Sequence, residues 1–184
     1  ISGESNLHKI IRMEKDPNRH FMDLKNDAMY QPEAIQGTKL VQSLSRMVLF
    51  GYHESELLDR YAQRALEVPG SIPPDYVGIM LNAFAKARHY NKELYSVFAG
   101  RIPRDLKNYA PRDLARICNS YARAKHQAPK MFRLISEEIP HKLGYADSQS
   151  IAMIVNAYTR LGVQDPLLLD DVADEVTRRP EDFD

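Results

Sequence analysis

Residues 79–89 read IMLNAFAKARH, and residues 116–126 read RICNSYARAKH, nearly the same phrase 37 positions later. A third copy, MIVNAYTRLGV, occupies 153–163 after a further 37 positions. Shifting the chain by that interval aligns Val77 with Leu114 and Ile151, Leu81 with Cys118 and Val155, and Phe84 with Tyr121 and Tyr158. Downstream, Leu94, Met131 and Leu168 coincide, followed by Phe98, Ile135 and Val172, then Ile102, Ile139 and Val176. A worn earlier copy sets Leu40, Leu44, Met47, Leu57 and Tyr61 in the same register. A fixed interval of roughly 20 to 50 residues marks supersecondary units that stack on one another.

Inside each unit the apolar spacing is helical. Val77, Leu81, Phe84 and the less apolar Arg88 fall at i, i+4, i+7 and i+11, and Leu94, Tyr95, Phe98 and Ile102 form a second stripe. Turn signals separate the stripes: Tyr90-Asn91, Gln127-Ala128-Pro129 and Gln164-Asp165-Pro166. Asp165 as N-cap with Pro166 in the first helical position is a strong start signal. Pro103 and Pro140 close the second helix of two units, because proline cannot donate the next hydrogen bond. Each unit therefore reads as a helical hairpin, and the fold class as all-α: a short right-handed α-solenoid with a 37-residue period. The repeats span 38–179, divided as a degenerate 38–74, then 75–111, 112–147 and 148–179. Residues 1–37 read as an atypical helical cap, with helices over 6–15 and 19–29 split at Asp16-Pro17, and 180–184 as an acidic tail.

Composition agrees with a packed helical protein: 43% of residues are hydrophobic, 27% charged, and only eight are glycine. Cys118 is the single cysteine, which excludes a disulfide framework and a cysteine-rich metal site. No apolar run is long enough to span a bilayer, so no membrane insertion is expected. The chain opens on Ile1, which suggests a processed product whose targeting segment is gone. Formal charge is balanced overall but not locally. Residues 75–164 carry 14 Lys/Arg against 7 Asp/Glu, whereas 165–184 carry 2 against 8. Such asymmetry suits partners of opposite sign, or it reflects clustering of solvated helix faces.

The first helix of each unit carries more than a core stripe. Small residues flank it: Gly78, Ala115 and Ala152 with Ala85, Ala122 and Thr159 on one side, and Ala83, Ser120 and Ala157 on the other. Small flanks allow first helices of successive units to approach closely. The remaining face, expected to line a concave surface, reads Asp75, Ile79, Asn82, Lys86 in one unit. The next gives Arg112, Arg116, Asn119, Arg123, and the last Gln149, Met153, Asn156, Arg160. Lys86, Arg123 and Arg160 recur as one cation per unit, joined by Arg88 and Lys125; the worn copy has Leu49 at that position. A ladder of cations suits a phosphate backbone, while cations near helix C-termini also complement the macrodipole. Asn82, Asn119 and Asn156 occupy one repeated position, and a mid-helix Asn costs about 0.5 kcal/mol relative to Ala. An amide ladder between neighbouring helices would compensate, as would contact with a ligand. A residue identical in every unit cannot discriminate bases, so readout would fall to the variable positions Asp75, Ile79, Arg112, Arg116, Gln149 and Met153.

A 37-residue hairpin with the phrases LNAFAKA, CNSYARA and VNAYTRL resembles the heptatricopeptide repeat, a relative of the octotricopeptide and pentatricopeptide repeats. The resemblance covers about 38–179. It implies an organellar, mitochondrial-matrix protein that contacts RNA, ribosomal RNA included, along its first helices and sits beside protein subunits of a larger assembly such as the mitochondrial ribosome. A short array would give modest affinity alone, which points the same way.

No phosphate-cradling glycine loop, zinc-protease helix or nucleophile elbow occurs. The six histidines are scattered, and His89 and His126 are repeat-equivalent, as shared structural features would be. The expectation is a protein that is not an enzyme, with no cofactor, no metal and no small-molecule substrate. Two roles remain: an RNA-binding module, or a scaffolding accessory subunit of a mitochondrial complex with no RNA contact.

Overall fold

A computed structural model describes residues 32–183 together with Met22, Asp23, Lys25, Asn26 and Ala28. The fold is all-helical, and no strand occurs among the described residues. The helix expected over 6–15 lies outside them, as does most of the one over 19–29, of which the described residues are helical. From residue 37 onward eight α-helices run among the described residues: α1 (Gly37–Leu49), α2 (Ser55–Glu67), α3 (Pro74–Lys86), α4 (Lys92–Arg101), α5 (Pro111–Ala124), α6 (Pro129–Glu138), α7 (Ser148–Leu161) and α8 (Pro166–Arg178). The odd helices thus begin at residues 37, 74, 111 and 148, and the even ones at 55, 92, 129 and 166. No helix among the described residues is long and apolar enough to cross a membrane.

Local chemistry explains these boundaries. Proline fills the first helical position of α3, α5, α6 and α8, where its missing N–H is harmless. Helices α3 and α5 consequently start one residue ahead of the expected unit boundaries at 75 and 112. Asp165 caps α8 as expected, its Oδ1 accepting from the Leu168 amide at 3.1 Å, and Asn91 and Asp147 cap α4 and α7 in the same way. Pro103 and Pro140 stop α-helical bonding after α4 and α6, and the chain continues as 3₁₀ turns over Ile102–Asn108 and Ile139–Tyr145.

The odd helices close alike. The amides of Tyr52, His89, His126 and Val163 donate to the carbonyls of Met47, Phe84, Tyr121 and Tyr158, each 3.0 Å long. Each bond spans a residue with positive φ: Gly51, Arg88, Lys125 and Gly162. This is the Schellman closure, which needs a left-handed residue one step past the helix.

The odd helices pack most extensively on one another in the order α1, α3, α5, α7. Leu40, Leu44, Val77, Leu81, Leu114, Cys118 and Ile151 are buried along them, and buried Met80, Ile117 and Ile154 widen the stripe. At Gly78 a Cβ would lie 2.9 Å from the Asp113 carbonyl oxygen, so α3 and α5 meet backbone to backbone. Aromatic rings tie the layers together: Tyr95 meets Tyr121 edge-on with centroids 5.0 Å apart, and Phe132 meets Tyr158 at 5.1 Å.

On the even-helix side, long cations join successive pairs. Arg64 reaches the carbonyls of Ile35 and Glu33, and Arg101 those of Pro69 and Ile72. Lys142 reaches that of Lys107, and Arg179 those of Leu143 and Ala146. These basic residues are structural: each satisfies carbonyls in the segment that leads into the first helix of its own pair.

Candidate nucleic-acid interface

The face of the odd helices that escapes the core holds all of the singled-out positions. In α3, Asp75 and Lys86 are exposed while Ile79 and Asn82 are half-buried. In α5, Arg112 and Arg123 are exposed, and Arg116 and Asn119 half-buried. In α7, Gln149, Asn156 and Arg160 are exposed and Met153 half-buried. Arg88 and Lys125 follow α3 and α5, both exposed.

An open groove of about 580 Å³ lies across α1, α3 and the start of α5. Its lining brings together four of the expected residues, Ile79, Asn82, Lys86 and Arg116. Val41, Val48, Leu49, Tyr76 and Ala83 give it an apolar floor, and Arg46, Lys86, Arg116 and His53 a basic border with no carboxylate. Leu49, at the position where a cation is missing, supplies part of the floor. The expected residues of α7 lie outside this groove, as do Arg112, Asn119 and Arg123.

Basic side chains divide into two sets. Lys86, Arg88, Arg123, Lys125 and Arg160 are exposed and make no ion pair among the described residues. Arg116 is engaged instead, its Nη1 donating to Asp113 Oδ1 at 3.2 Å. Burial raises the Asp113 carboxyl above its ordinary range against the pull of Arg116, with the Asp75 charge adding to the rise. The Asp147 carboxyl is lowered, chiefly by hydrogen bonds from Ser150 and then by Arg112 and Arg116. The variable positions of α5 thus face carboxylates, whereas the repeated cations do not.

The repeated asparagines do not form the expected ladder. Among the described residues, the amides of Asn82, Asn119 and Asn156 make no hydrogen bond. The reason is positional: close packing falls on the small flanks on either side, and these amides sit outside it, half-buried or exposed.

Arg88 and Lys125 have φ values of 55° and 53°, in the left-handed region, where the matching positions carry Gly51 and Gly162. A side chain there costs about 1–2 kcal/mol over glycine in the folded state. The signal was present in sequence, since glycine stands at the same interval on either side of these cations. Arg88→Gly and Lys125→Gly should each stabilise the fold by about 0.5 kcal/mol, the relief of strain being partly offset by glycine's freedom in the unfolded chain. Urea denaturation of the double variant should therefore gain about 1 kcal/mol.

The repeat-equivalent histidines make structural contacts: His89 Nε2 lies 2.9 Å from Asp59 Oδ1, and His126 Nδ1 2.8 Å from the Tyr90 hydroxyl. Burial pushes the Cys118 thiol up to about 12, so it is not a ready nucleophile. No cluster of His, Cys, Asp and Glu able to hold a metal occurs among the described residues. No protein-family model matches the chain, and no curated protein matches it.

Proposed function

We propose that this chain is a short right-handed α-solenoid of the heptatricopeptide-repeat kind, with a 37-residue period, and that it binds RNA through the concave face of its first helices. Its setting is a ribonucleoprotein of the mitochondrial matrix, such as the mitochondrial ribosome. The role is that of a non-enzymatic module.

One observation carries the reading: the repeat-matched cations Lys86, Arg88, Arg123, Lys125 and Arg160 stand exposed without ion pairs among the described residues, while Arg64, Arg101, Lys142 and Arg179 are spent on structural carbonyls. Unpaired cations beside helix termini are what a phosphate backbone requires, since they need no partner displaced before binding. Two of them occupy left-handed positions that would be more stable as glycine, strain of the kind that functional residues carry. Unbonded asparagine amides on the same face supply donors and acceptors for bases or sugars.

The test is RNA affinity measured across salt concentration with a single-stranded oligonucleotide. For Lys86→Ala/Arg123→Ala/Arg160→Ala, the slope of log K against log salt should shrink by about 2, from about 0.7 per lost phosphate contact. Affinity at moderate salt should fall by more than about tenfold. An unchanged slope would remove the cationic face from consideration.

A further inference from the structure

Each helix pair covers the one before it at fixed positions, and the fourth pair shows the same positions bare. Leu58, Tyr95 and Phe132 occupy one repeated place in α2, α4 and α6, and each is 1% exposed or less. Their counterpart in α8, Leu169, is 51% exposed. Val41, Gly78 and Ala115 are buried, and Ala152 is exposed. Leu44, Leu81 and Cys118 are fully buried, whereas Val155 is only partly so. Thr159 and Ala173 continue the exposed strip along α7 and α8.

What covers these positions elsewhere in the chain defines what would cover them here. Tyr121 donates its hydroxyl to the Tyr95 carbonyl at 2.7 Å, and Tyr158 to the Phe132 carbonyl at 2.9 Å. Leu169 stands at that same place. Around it the charge is acidic. Asp170, Asp171 and Asp174 are exposed and make no ion pair among the described residues, while Arg178 and Arg179 are taken by Glu175 and Asp182. Helical spacing sets Leu169 beside Ala173, and Ala173 beside Asp170, which in turn lies one turn from Asp174.

We propose that the α7–α8 edge is a docking surface for a helical hairpin of another polypeptide, one with a basic border and a tyrosine that donates to the Leu169 carbonyl. A second copy of this chain fits poorly in either orientation. Its own α7–α8 edge would oppose acidic residues to acidic residues, and the matching side of its α1 is already covered at Ser43 and carries Met47 where the tyrosine belongs. This surface adjoins the cationic face along α7 but is built on Leu169 and the acidic residues of α8, and the proposal goes beyond RNA binding.

The experiment places a photo-crosslinking amino acid at position 169, and a control at exposed Arg133, in the full chain in cells, and identifies the joined peptides by mass spectrometry. The expected product, specific to position 169, is a helical segment of another polypeptide that contains tyrosine and is net basic. That segment, purified, should bind the wild-type chain and lose at least tenfold in affinity to Leu169→Asp, whose melting temperature stays unchanged because the side chain is exposed. Crosslinks to RNA, to this chain or a second copy, to an acidic or non-helical segment, or to nothing beyond the control would each overturn the proposal. So would equal binding by Leu169→Asp.

Discussion

Tyr121→Ala lowers the unfolding free energy by about 4 kcal/mol, in the range for emptying a large aromatic site. The ring is fully buried, edge-on to Tyr95 at 5.0 Å and to Phe132 at 6.2 Å, and close to His126 at 5.6 Å. It joins the second and third helix pairs, so the void cannot be filled by movement of one helix alone. Tyr121→Phe separates packing from polarity. It keeps the ring and removes the bond to the Tyr95 carbonyl, at about 1 kcal/mol. Urea denaturation followed by circular dichroism measures both; a loss below about 2 kcal/mol for the alanine variant would show that neighbouring rings collapse into the space.

Gly78→Leu should cost about 3 kcal/mol, through forced separation of α3 from α5. The obstacle at 2.9 Å is the Asp113 carbonyl oxygen, with Arg116 Cβ at 3.3 Å, and backbone cannot swing aside as a side chain can. The contrast lies at Gly100, also helical, where an added Cβ would meet nothing within 4 Å. Gly100→Ala should therefore stabilise by about 0.5–1 kcal/mol through helix propensity alone. Opposite signs for the two substitutions are the expected outcome, and a stabilising Gly78→Ala would contradict the close approach described above.

Much of this architecture was legible before coordinates. Aligned Val77, Leu114 and Ile151 predicted the buried stripe, and the Asp165-Pro166 pair predicted the start of α8, because apolar period and capping chemistry are local. Small flanks at Gly78 and Ala115 predicted close approach. The amide ladder failed because helix periodicity gives a residue's angle but not the distance to the neighbouring helix. Joining cations at the even-helix ends were missed for another reason. Arg64 and Arg101 keep the repeat interval, but the role then passes to Lys142 and Arg179, about one helical turn further on, while Glu138 and Glu175 take the original place. A comparison in fixed register cannot see a function that changes residue. Of the proposed RNA-binding set, the exposure of Lys86, Arg123 and Arg160 was readable, and Gly51 and Gly162 at the same interval already marked Arg88 and Lys125 as left-handed positions, which the dihedral angles bear out.

The two sides of the helix pairs are held by different materials. On one, backbone touches backbone at Gly78, a contact with almost no give. On the other, extended guanidinium and ammonium groups span the gap to carbonyl acceptors and can lengthen or shorten by changing rotamer. Movement between pairs should therefore be directional, with the odd helices held at fixed distance and any change of spacing falling on the even ones. A flexible polymer lying on the stiff side would set its own spacing without disturbing the core.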